Sequence, residues 1–296
     1  MAVLLLFFDG VGVGRDDPDE NPFAAIGARR LGAVAGRPDR DGAAFTELDP
    51  TLGVPGLPQS ATGQTTLLTG VNAARHAGRH MVGVPGPTLR PLLERESLFR
   101  KLVRAGATAT SANAYTRQHL EARRPRLSAS TQAIRAAGLP FRMWDDQGLR
   151  GSALFHDYTG EWMERLGLPV VRRDAAGAAD VLGRLLDEHD FVFYEYFLTD
   201  LVAHRGDRQG KLEQARRAEA LVDAVLARID RGRHDLIVTS DHGNLEESHH
   251  PRHTLNPVPL LVWGPHAASL VREIRALTDV TPALVALAGG GAPTPV

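Results

Sequence analysis

The stretch that decides the fold is DLIVTSDHGN, at residues 235–244, which is followed by HTLNP at residues 253–257. An apolar run that leads directly into an Asp-His pair is typical of a buried strand, and open α/β sheets bind ligands beyond the C-terminal ends of their strands. Asp and His supply the oxygen and nitrogen ligands that Zn²⁺ and Mn²⁺ accept. Asp241 and His242, with His253 further along, therefore predict a metal site and metal-assisted chemistry.

Strand-like and helix-like segments alternate at both ends of the chain. Residues 3–8 form an unbroken apolar run, as expected for a strand that is buried on both faces. Residues 209–230 carry apolar side chains at i, i+3 and i+4, which predicts an amphipathic helix. We expect further strands at 107–112, 191–198, 236–239 and 258–263, and further helices at 93–105, 128–137, 158–166, 175–188 and 280–288. The alternation favours an α/β fold with a mostly parallel sheet and helices on both faces.

The middle of the chain differs from its two ends. Residues 117–187 are less regular and richer in Arg, Asp and Gly. A chain of this length accommodates one large domain or a domain that carries an insert. We therefore expect residues 1–116 and 188–296 to form the core, and residues 117–187 to form a small inserted cap.

Composition excludes several classes of function. The chain has 296 residues, of which 43% are hydrophobic, enough for a large buried core. Its net charge of -1 creates no global field towards nucleic acid or an anionic membrane, and the absence of cysteine excludes disulfides, Cys-bound zinc and thiol catalysis. The N-terminal apolar run has no basic segment before it, and no stretch approaches the ~18 apolar residues of a membrane helix. We expect a soluble, cytoplasmic protein without nucleic-acid or membrane partners, and its oligomeric state stays open.

Further acidic and imidazole side chains follow predicted strands. Asp9 ends the strand at 3–8, and Asp200 and His204 follow the strand at 191–198. The C-terminal ends of parallel strands meet at one edge of a sheet, so these side chains should lie near the C-terminal motifs. The combined set of three Asp and three His is large enough to hold two divalent ions. Two such ions about 3.5–4 Å apart can clamp the attacking and leaving oxygens of a phosphoryl group.

A candidate nucleophile lies in PQSATGQTTLLTG, at residues 58–70, where hydroxyl groups precede a short predicted helix. A helix N-terminus favours an anion, and a serine alkoxide ligated to a metal there needs no separate base. Ser60 is the candidate, and Thr62 is its nearest competitor. Ser60 also suits a helix N-cap, which leaves a purely structural role open.

The order of these motifs resembles the alkaline phosphatase superfamily, and most closely its branch of cofactor-independent phosphoglycerate mutases and phosphopentomutases. The matching elements are Asp9-Gly10, Asn21 with Ile26, Ser60-Ala61-Thr62-Gly63 with Gly70, Asp200 with His204, DHGN at 241–244 and HTLNPVP at 253–259. Gln64 stands where the family usually has His, and Ala203 stands where it usually has Gly. The resemblance covers residues 1–72 and 188–288, and the middle of the chain does not match.

The resemblance implies a three-layer α/β/α sandwich of the alkaline phosphatase type that holds two divalent ions, Mn²⁺ or Zn²⁺. Carried over position by position, the implied ligand sets are Asp200, His204 and His253 for one ion, and Asp9, Ser60, Asp241 and His242 for the other. Oxygen and nitrogen ligands suit both metals, so the choice between them stays open.

The residues and the resemblance together predict metal-dependent phosphoryl transfer through a phosphoserine on Ser60, with a small phosphorylated metabolite as substrate. The full mutases carry a large inserted domain that supplies arginines and closes over the substrate, whereas residues 117–187 allow only a small insert. We therefore expect a phosphatase or a phosphodiesterase. A phosphomutase is one alternative, and a non-catalytic member that binds metal or a phosphorylated ligand is another.

Basic residues follow the nucleophile segment. Arg75 and Arg79 are candidates for binding the anionic groups of a substrate, because guanidinium groups match phosphate and carboxylate geometry. A solvated basic loop explains the same residues equally well.

Overall fold

The computed structural model describes residues 1–37, 42–123 and 126–290. Within them the strands are β1 (Ala2–Phe8), β2 (Ala44–Leu48), β3 (Ala109–Ser111), β4 (Ala114–Tyr115), β5 (Arg142–Met143), β6 (Phe191–Tyr196), β7 (His234–Thr239) and β8 (Val258–Trp263). The helices are α1 (Pro22–Ala25), α2 (Ser60–Thr69), α3 (Ala73–Ala77), α4 (Arg90–Glu96), α5 (Leu98–Arg104), α6 (Arg117–Glu121), α7 (Ala129–Ala136), α8 (Glu161–Arg165), α9 (Ala175–Glu188), α10 (Leu198–Arg205), α11 (Arg208–Arg228), α12 (Ala267–Glu273) and α13 (Leu277–Ala288). None of these helices in the described ranges is both long and apolar enough to span a membrane.

The main sheet has the strand order β2-β8-β7-β1-β6-β3. Strands β3, β6, β1 and β7 run parallel, whereas β8 is antiparallel to both β7 and β2. The register pairs Phe8 with Tyr196 and Phe7 with Thr239, so β1, β6 and β7 end at the same edge of the sheet. Because β8 runs in the opposite direction, it begins at that edge. The predicted α/β class with a mostly parallel sheet is confirmed.

Helices cover both faces of the main sheet. Side chains alternate between the two faces of a strand, so an apolar strand contributes to two cores. One core takes Leu4, Leu6 and Phe8 from β1 and packs them with α9 and α11, and the other takes Val3, Leu5 and Phe7 and packs them with α2, α7 and α13. This arrangement is the three-layer sandwich expected from the sequence.

Several element bounds agree with the sequence pattern, and one predicted helix is divided. Helix α9 and strand β8 have the predicted bounds. The predicted helix at 93–105 is divided into α4 and α5 at Ser97, which has an extended backbone with ψ 133°. The Ser97 side chain accepts a hydrogen bond from the Arg100 backbone N–H and donates one to the Ala133 carbonyl at 2.8 Å. Serine therefore caps α5 here, since its side chain competes with the helical hydrogen bonds.

A small second sheet lies outside the main one and consists of β4 and β5, followed by a π-helical turn at Trp144–Gly148. Its apolar cluster contains Ala114, Trp144, Ala153 and Met163. Helix α9 falls inside the predicted cap, yet it packs in the core of the main sheet. The division of the chain at 117–187 stays a prediction, and positions 124–125 of that range lie outside the described residues.

Candidate metal centre

The candidate ligands and the candidate nucleophile lie at the sheet edge where β1, β6 and β7 end. Asp9 follows β1, Asp200 and His204 lie one turn apart on α10 after β6, Asp241 and His242 follow β7, His253 precedes β8, and Ser60 begins α2. In an all-parallel sheet, a residue that precedes a strand would lie at the opposite edge. The antiparallel direction of β8 is therefore what brings His253 to the centre.

The turn after β1 packs closely against the neighbouring elements. Gly10 has a φ of +69°, and a Cβ at this position would lie 2.6 Å from Asp200 Oδ1. The Gly10 N–H faces Asp241 Oδ1 at 3.4 Å, and the Val11 N–H donates to Ser240 Oγ at 3.0 Å. Only glycine fits both the left-handed backbone and the close approach of α10.

Asp200, His204 and His253 form the first candidate ligand group, with one ligand atom from each within 4.8 Å of the others. The Nε2 atoms of His204 and His253 are 3.0 Å apart. Their Nδ1 atoms lie 2.7 Å from the carbonyl oxygens of Pro251 and Pro58, respectively. An Nδ1–H that donates to a carbonyl leaves Nε2 with a free lone pair. With this tautomer in both rings, two lone pairs face each other, and a shared cation would satisfy both.

Asp9, Asp200 and His242 form the second candidate group. His242 Nε2 lies 3.3 Å from Asp9 Oδ1 and 3.4 Å from Asp241 Oδ2. Both of these carboxylate oxygens are buried, and neither has a hydrogen-bond partner in the described part of the chain. Buried carboxylate oxygens without partners are costly, so the pair fits a divalent cation. The structure thus brings the predicted second set around His242 and adds Asp200, which belongs to both groups.

Negative charge is concentrated in this centre. Burial raises the pKa of Asp9 well above its ordinary value, and the charges of Asp241 and Asp200 raise it further. Burial also raises the pKa of Asp241 to about 6. Burial by itself would lower the pKa of His242. The nearby carboxylates of Asp241 and Asp9 have the larger effect and raise this pKa to about 10. Protons or cations must balance these buried carboxylates, and bound divalent cations would take the place of the protons.

Ser60 faces the ligand groups and does not cap the helix. It is the first residue of α2, and the N-cap position belongs to Gln59. Ser60 Oγ lies 3.0 Å from His242 Nε2. The competing residue Thr62 is fully buried, and its Oγ1 donates to the Gln59 carbonyl at 3.0 Å. Of these two hydroxyl groups, Ser60 is the one positioned for chemistry.

Two amide side chains hold the acidic ligands in place. Gln64 Nε2 donates to Asp9 Oδ2 at 3.0 Å, so the residue that departs from the family pattern still contacts the centre. Asn244 Nδ2 donates to Asp200 Oδ1 at 2.7 Å and lies 3.2 Å from His204 Nε2. Sequence reasoning gave Asn244 no role, although its place in the DHGN motif was the signal that could have found it.

Glu246 joins three segments of the centre and was missed by sequence reasoning. Its buried carboxylate accepts hydrogen bonds from the backbone N–H groups of Gly12 and Asn244, both at 2.8 Å. It also accepts from Thr254 Oγ1 at 2.5 Å and from Asn256 Nδ2 at 3.1 Å. The loops after β1 and β7 and the segment before β8 therefore share one buried anion. An acidic residue in a polar loop carries no local pattern that would reveal this.

A cavity of about 840 Å³ opens beside the centre. Its lining includes Asp9, Ser60, Asp200 and His204. Two exposed arginines, Arg126 and Arg205, also line it. The predicted substrate-binding residues Arg75 and Arg79 are exposed on and just after α3 and lie outside the described lining. Their role in binding a substrate stays a prediction.

Comparison with known proteins places most of the centre in a recognised family segment. Residues 170–289 match the family model of the Metalloenzyme superfamily, and this segment contains five of the six candidate Asp and His ligands. The 2,3-bisphosphoglycerate-independent phosphoglycerate mutase of Roseobacter denitrificans is 32% identical over 108 residues, which are 34% of this chain and 21% of that protein. The match thus spans about a fifth of the length of this curated relative. The resemblance expected from the motifs is confirmed.

Solved structures agree with the fold. The PH0037 protein from Pyrococcus horikoshii has a TM-score of 0.60 and 14% identity, with 100% of this chain and 99% of that chain covered. An alkaline phosphatase from the Antarctic bacterium TAB5 has a TM-score of 0.59 and 11% identity, with 99% of each chain covered. At this level of identity the likeness concerns the fold alone, and it confirms a sandwich of the alkaline phosphatase type.

Proposed function

We propose that this chain, whose residues 170–289 match the Metalloenzyme superfamily, is a metal-dependent phosphoryl-transfer enzyme that works through a phosphoserine on Ser60. The observation that carries the proposal is the position of Ser60 Oγ, 3.0 Å from His242 Nε2 at the N-terminus of α2. The same imidazole faces the buried oxygens of Asp9 and Asp241. A hydroxyl group, a helix N-terminus and unpartnered carboxylates therefore meet at one point.

The donor set suits two divalent ions, Mn²⁺ or Zn²⁺, because it offers carboxylate oxygens and imidazole nitrogens. The proposed ligands are Asp200, His204 and His253 for one ion, and Asp9, Ser60, Asp241 and His242 for the other, with Asp200 in contact with both groups. When bound, the ions supply positive charge that stabilises the phosphoryl oxygens and lowers the pKa of the Ser60 hydroxyl.

The chain's own residues perform the transfer in two displacements. The Ser60 hydroxyl gives its proton to solvent and attacks phosphorus, and the bond from phosphorus to the alcohol oxygen of the substrate breaks, with that oxygen taking up a proton from solvent. Water then attacks the phosphoserine, which releases phosphate and restores Ser60. The N-terminus of α2 favours the anionic phosphoryl group next to Ser60. Gln64 and Asn244 orient the carboxylates of Asp9 and Asp200 throughout.

Hydrolysis of a small phosphorylated substrate, as by a phosphatase or phosphodiesterase, is the version of this function that we favour. A mutase must retain its dephosphorylated product, which requires a closing, arginine-bearing domain. Arg126 and Arg205 are the arginines of the described cavity lining, and both are exposed. A described lining that offers only these two exposed arginines supports release of the product better than its retention.

The test replaces Ser60 and Thr62 separately. Ser60→Ala is expected to lower turnover of a generic aryl phosphate by at least about 10³-fold, because it removes the nucleophile. Its metal content, measured by elemental analysis, is expected to stay close to that of the wild type. Thr62→Val removes the competing hydroxyl and should retain activity within about threefold, since the Thr62 hydroxyl is buried and donates to the Gln59 carbonyl. Turnover in Ser60→Ala at the wild-type rate would overturn the covalent mechanism.

Two further outcomes decide the alternatives. With sugar phosphates as substrates, phosphorus NMR separates free phosphate from an isomerised ester, and isomerised ester without free phosphate would favour a phosphomutase. A metal content well below one ion per chain, after purification without chelator, would favour a non-catalytic binding protein.

A further inference from the structure

The cavity beside Ser60 is much larger than a phosphoryl group requires. Its volume of about 840 Å³ lies in the upper part of the range for ligand pockets, about 300–1,000 Å³. It extends from Ser60 and His204 to side chains from the small second sheet and the segments around it. Most of this volume is therefore available to the organic part of a substrate.

One part of the cavity lining, the aromatic wall, is aromatic and apolar. Tyr115, Phe155, Phe197 and Met163 line it together with His156. The His156 ring lies 5.5 Å from Phe155, 4.9 Å from Phe197 and 6.2 Å from Tyr115, measured between ring centroids. Rings that pack against one another in this way form a rigid surface on which another ring can stack or meet edge to face.

His156 takes part in this wall as a neutral ring. Its Nδ1 lies 3.0 Å from the Glu195 carbonyl oxygen and 3.2 Å from Asn113 Nδ2, which fix the orientation of the imidazole. Burial lowers the pKa of His156 to about 4, so the ring carries no charge at neutral pH. It therefore contributes an aromatic surface and no cation.

The charges around the cavity disfavour a second anionic group in the substrate. The lining arginines that the structure describes, Arg126 and Arg205, are exposed, and the buried Glu195 carboxyl also lines the cavity. A carboxylate placed against the faces of these rings would lose its hydration, and the rings themselves offer it no positive charge, which is costly. The aromatic wall therefore favours an uncharged ring over a second anionic group.

We infer that the aromatic wall binds the organic part of the substrate, and that the substrate is a phosphate ester whose alcohol carries an aromatic or heteroaromatic ring. The inference rests on the proposed phosphoryl transfer at Ser60. The ring packs on the surface that Phe155, His156 and Phe197 form, while the phosphoryl group reaches Ser60, which lines the same cavity.

The experiment compares benzyl phosphate with methyl phosphate, whose alcohols have similar acidity, so that binding of the ring is isolated from leaving-group effects. The wild type is expected to show kcat/KM about 10- to 100-fold higher for benzyl phosphate, as burial of one phenyl ring predicts. Phe155→Ala should lower kcat/KM for benzyl phosphate by about tenfold and leave methyl phosphate within about twofold. Phe45→Ala, on β2 at the far edge of the main sheet, is the control and should change neither value.

An unchanged ratio of the two substrates in Phe155→Ala would overturn the inference. If that variant melts early, Phe155→Leu keeps the bulk without the ring and should still reduce the preference. If the wild type hydrolyses neither ester, the proposed function fails. Calorimetry with benzylphosphonate and methylphosphonate then tests separately whether the aromatic wall binds a ring. Tighter binding of benzylphosphonate that Phe155→Ala abolishes supports the wall, and equal binding of the two phosphonates refutes it.

Discussion

At the scale of single residues, Asp200 is the side chain on which the two proposed metal sites depend most. Its Oδ2 lies 3.4 Å from His204 Nε2, and its Oδ1 lies 3.6 Å from His253 Nε2. It also belongs to the compact group with Asp9 and His242. The family pattern assigns Asp200 to one ion, whereas its position between the groups suggests that its carboxylate serves both.

Replacing Asp200 should therefore weaken the binding of both ions. Asp200→Asn is expected to weaken binding of each ion by at least about 100-fold, because a charged ligand becomes neutral. His204→Ala should affect only the ion held with His253. Asp235→Asn, a buried aspartate that bonds His266, is the matched control and should retain the full metal content. Elemental analysis after purification without chelator measures all three variants, and one full equivalent of metal in Asp200→Asn would contradict the shared role.

At the scale of elements, three connecting segments are held together by Glu246. The loops after β1 and β7 donate backbone hydrogen bonds to its carboxylate, and the segment before β8 supplies Thr254. A Cβ on Gly12 would overlap this carboxylate. The absence of a side chain at Gly12 therefore allows the backbone after β1 to approach the buried Glu246 carboxylate.

A methyl group at position 12 should destabilise the protein. Gly12→Ala forces the Glu246 carboxylate away from its donors and is expected to cost about 1–3 kcal/mol of unfolding free energy. Gly86→Ala is the control, since a Cβ at Gly86 meets no atom within 4 Å among the described residues. That change should stay within about 0.5 kcal/mol of the wild type. Urea denaturation measures both variants, and equal stability of the two would show that Glu246 moves freely.

At the scale of the whole molecule, the metal centre joins segments from Asp9 to His253. Its ligands come from the ends of β1 and β7, from α10, from the start of α2 and from the loop before β8. Several buried carboxylates face one another there with too few donors to satisfy them. Bound cations would offset this repulsion, so metal binding and folding are expected to be coupled.

Metal removal should lower the melting temperature. A ligand at 100 times its Kd contributes about 2.7 kcal/mol of stability, and about 1 kcal/mol shifts the Tm of a chain this large by roughly 2–4 °C. Dialysis against a chelator is expected to reduce the Tm by about 5 °C or more, and Mn²⁺ or Zn²⁺ should restore it. Calorimetry measures the shift, with Asp200→Asn as the variant that should respond least. A wild-type Tm that is indifferent to the chelator would contradict this coupling.

Local patterns in the sequence predicted much of the fold and of the candidate centre. The apolar run of β1 indicated a strand buried on both faces, and the bounds of α9 and β8 followed from periodicity and flanking residues. The helix break at Ser97 was not predicted, because a serine that caps one helix and a serine inside a longer helix have the same local neighbours. The edge strand β2 was missed because its half-exposed residues lack a strong apolar run.

The sequence by itself determined which residue types end the strands, and hence that Asp, His and a serine hydroxyl are available for metal-assisted chemistry. Only the tertiary structure decided how they meet. The antiparallel direction of β8 brings His253 to the centre, and the packing of α10 places Asp200 between the two groups. The same packing leaves Arg75 and Arg79 outside the described cavity lining and supplies an aromatic wall instead. These features depend on contacts between segments far apart in the chain, and no local pattern encodes such contacts.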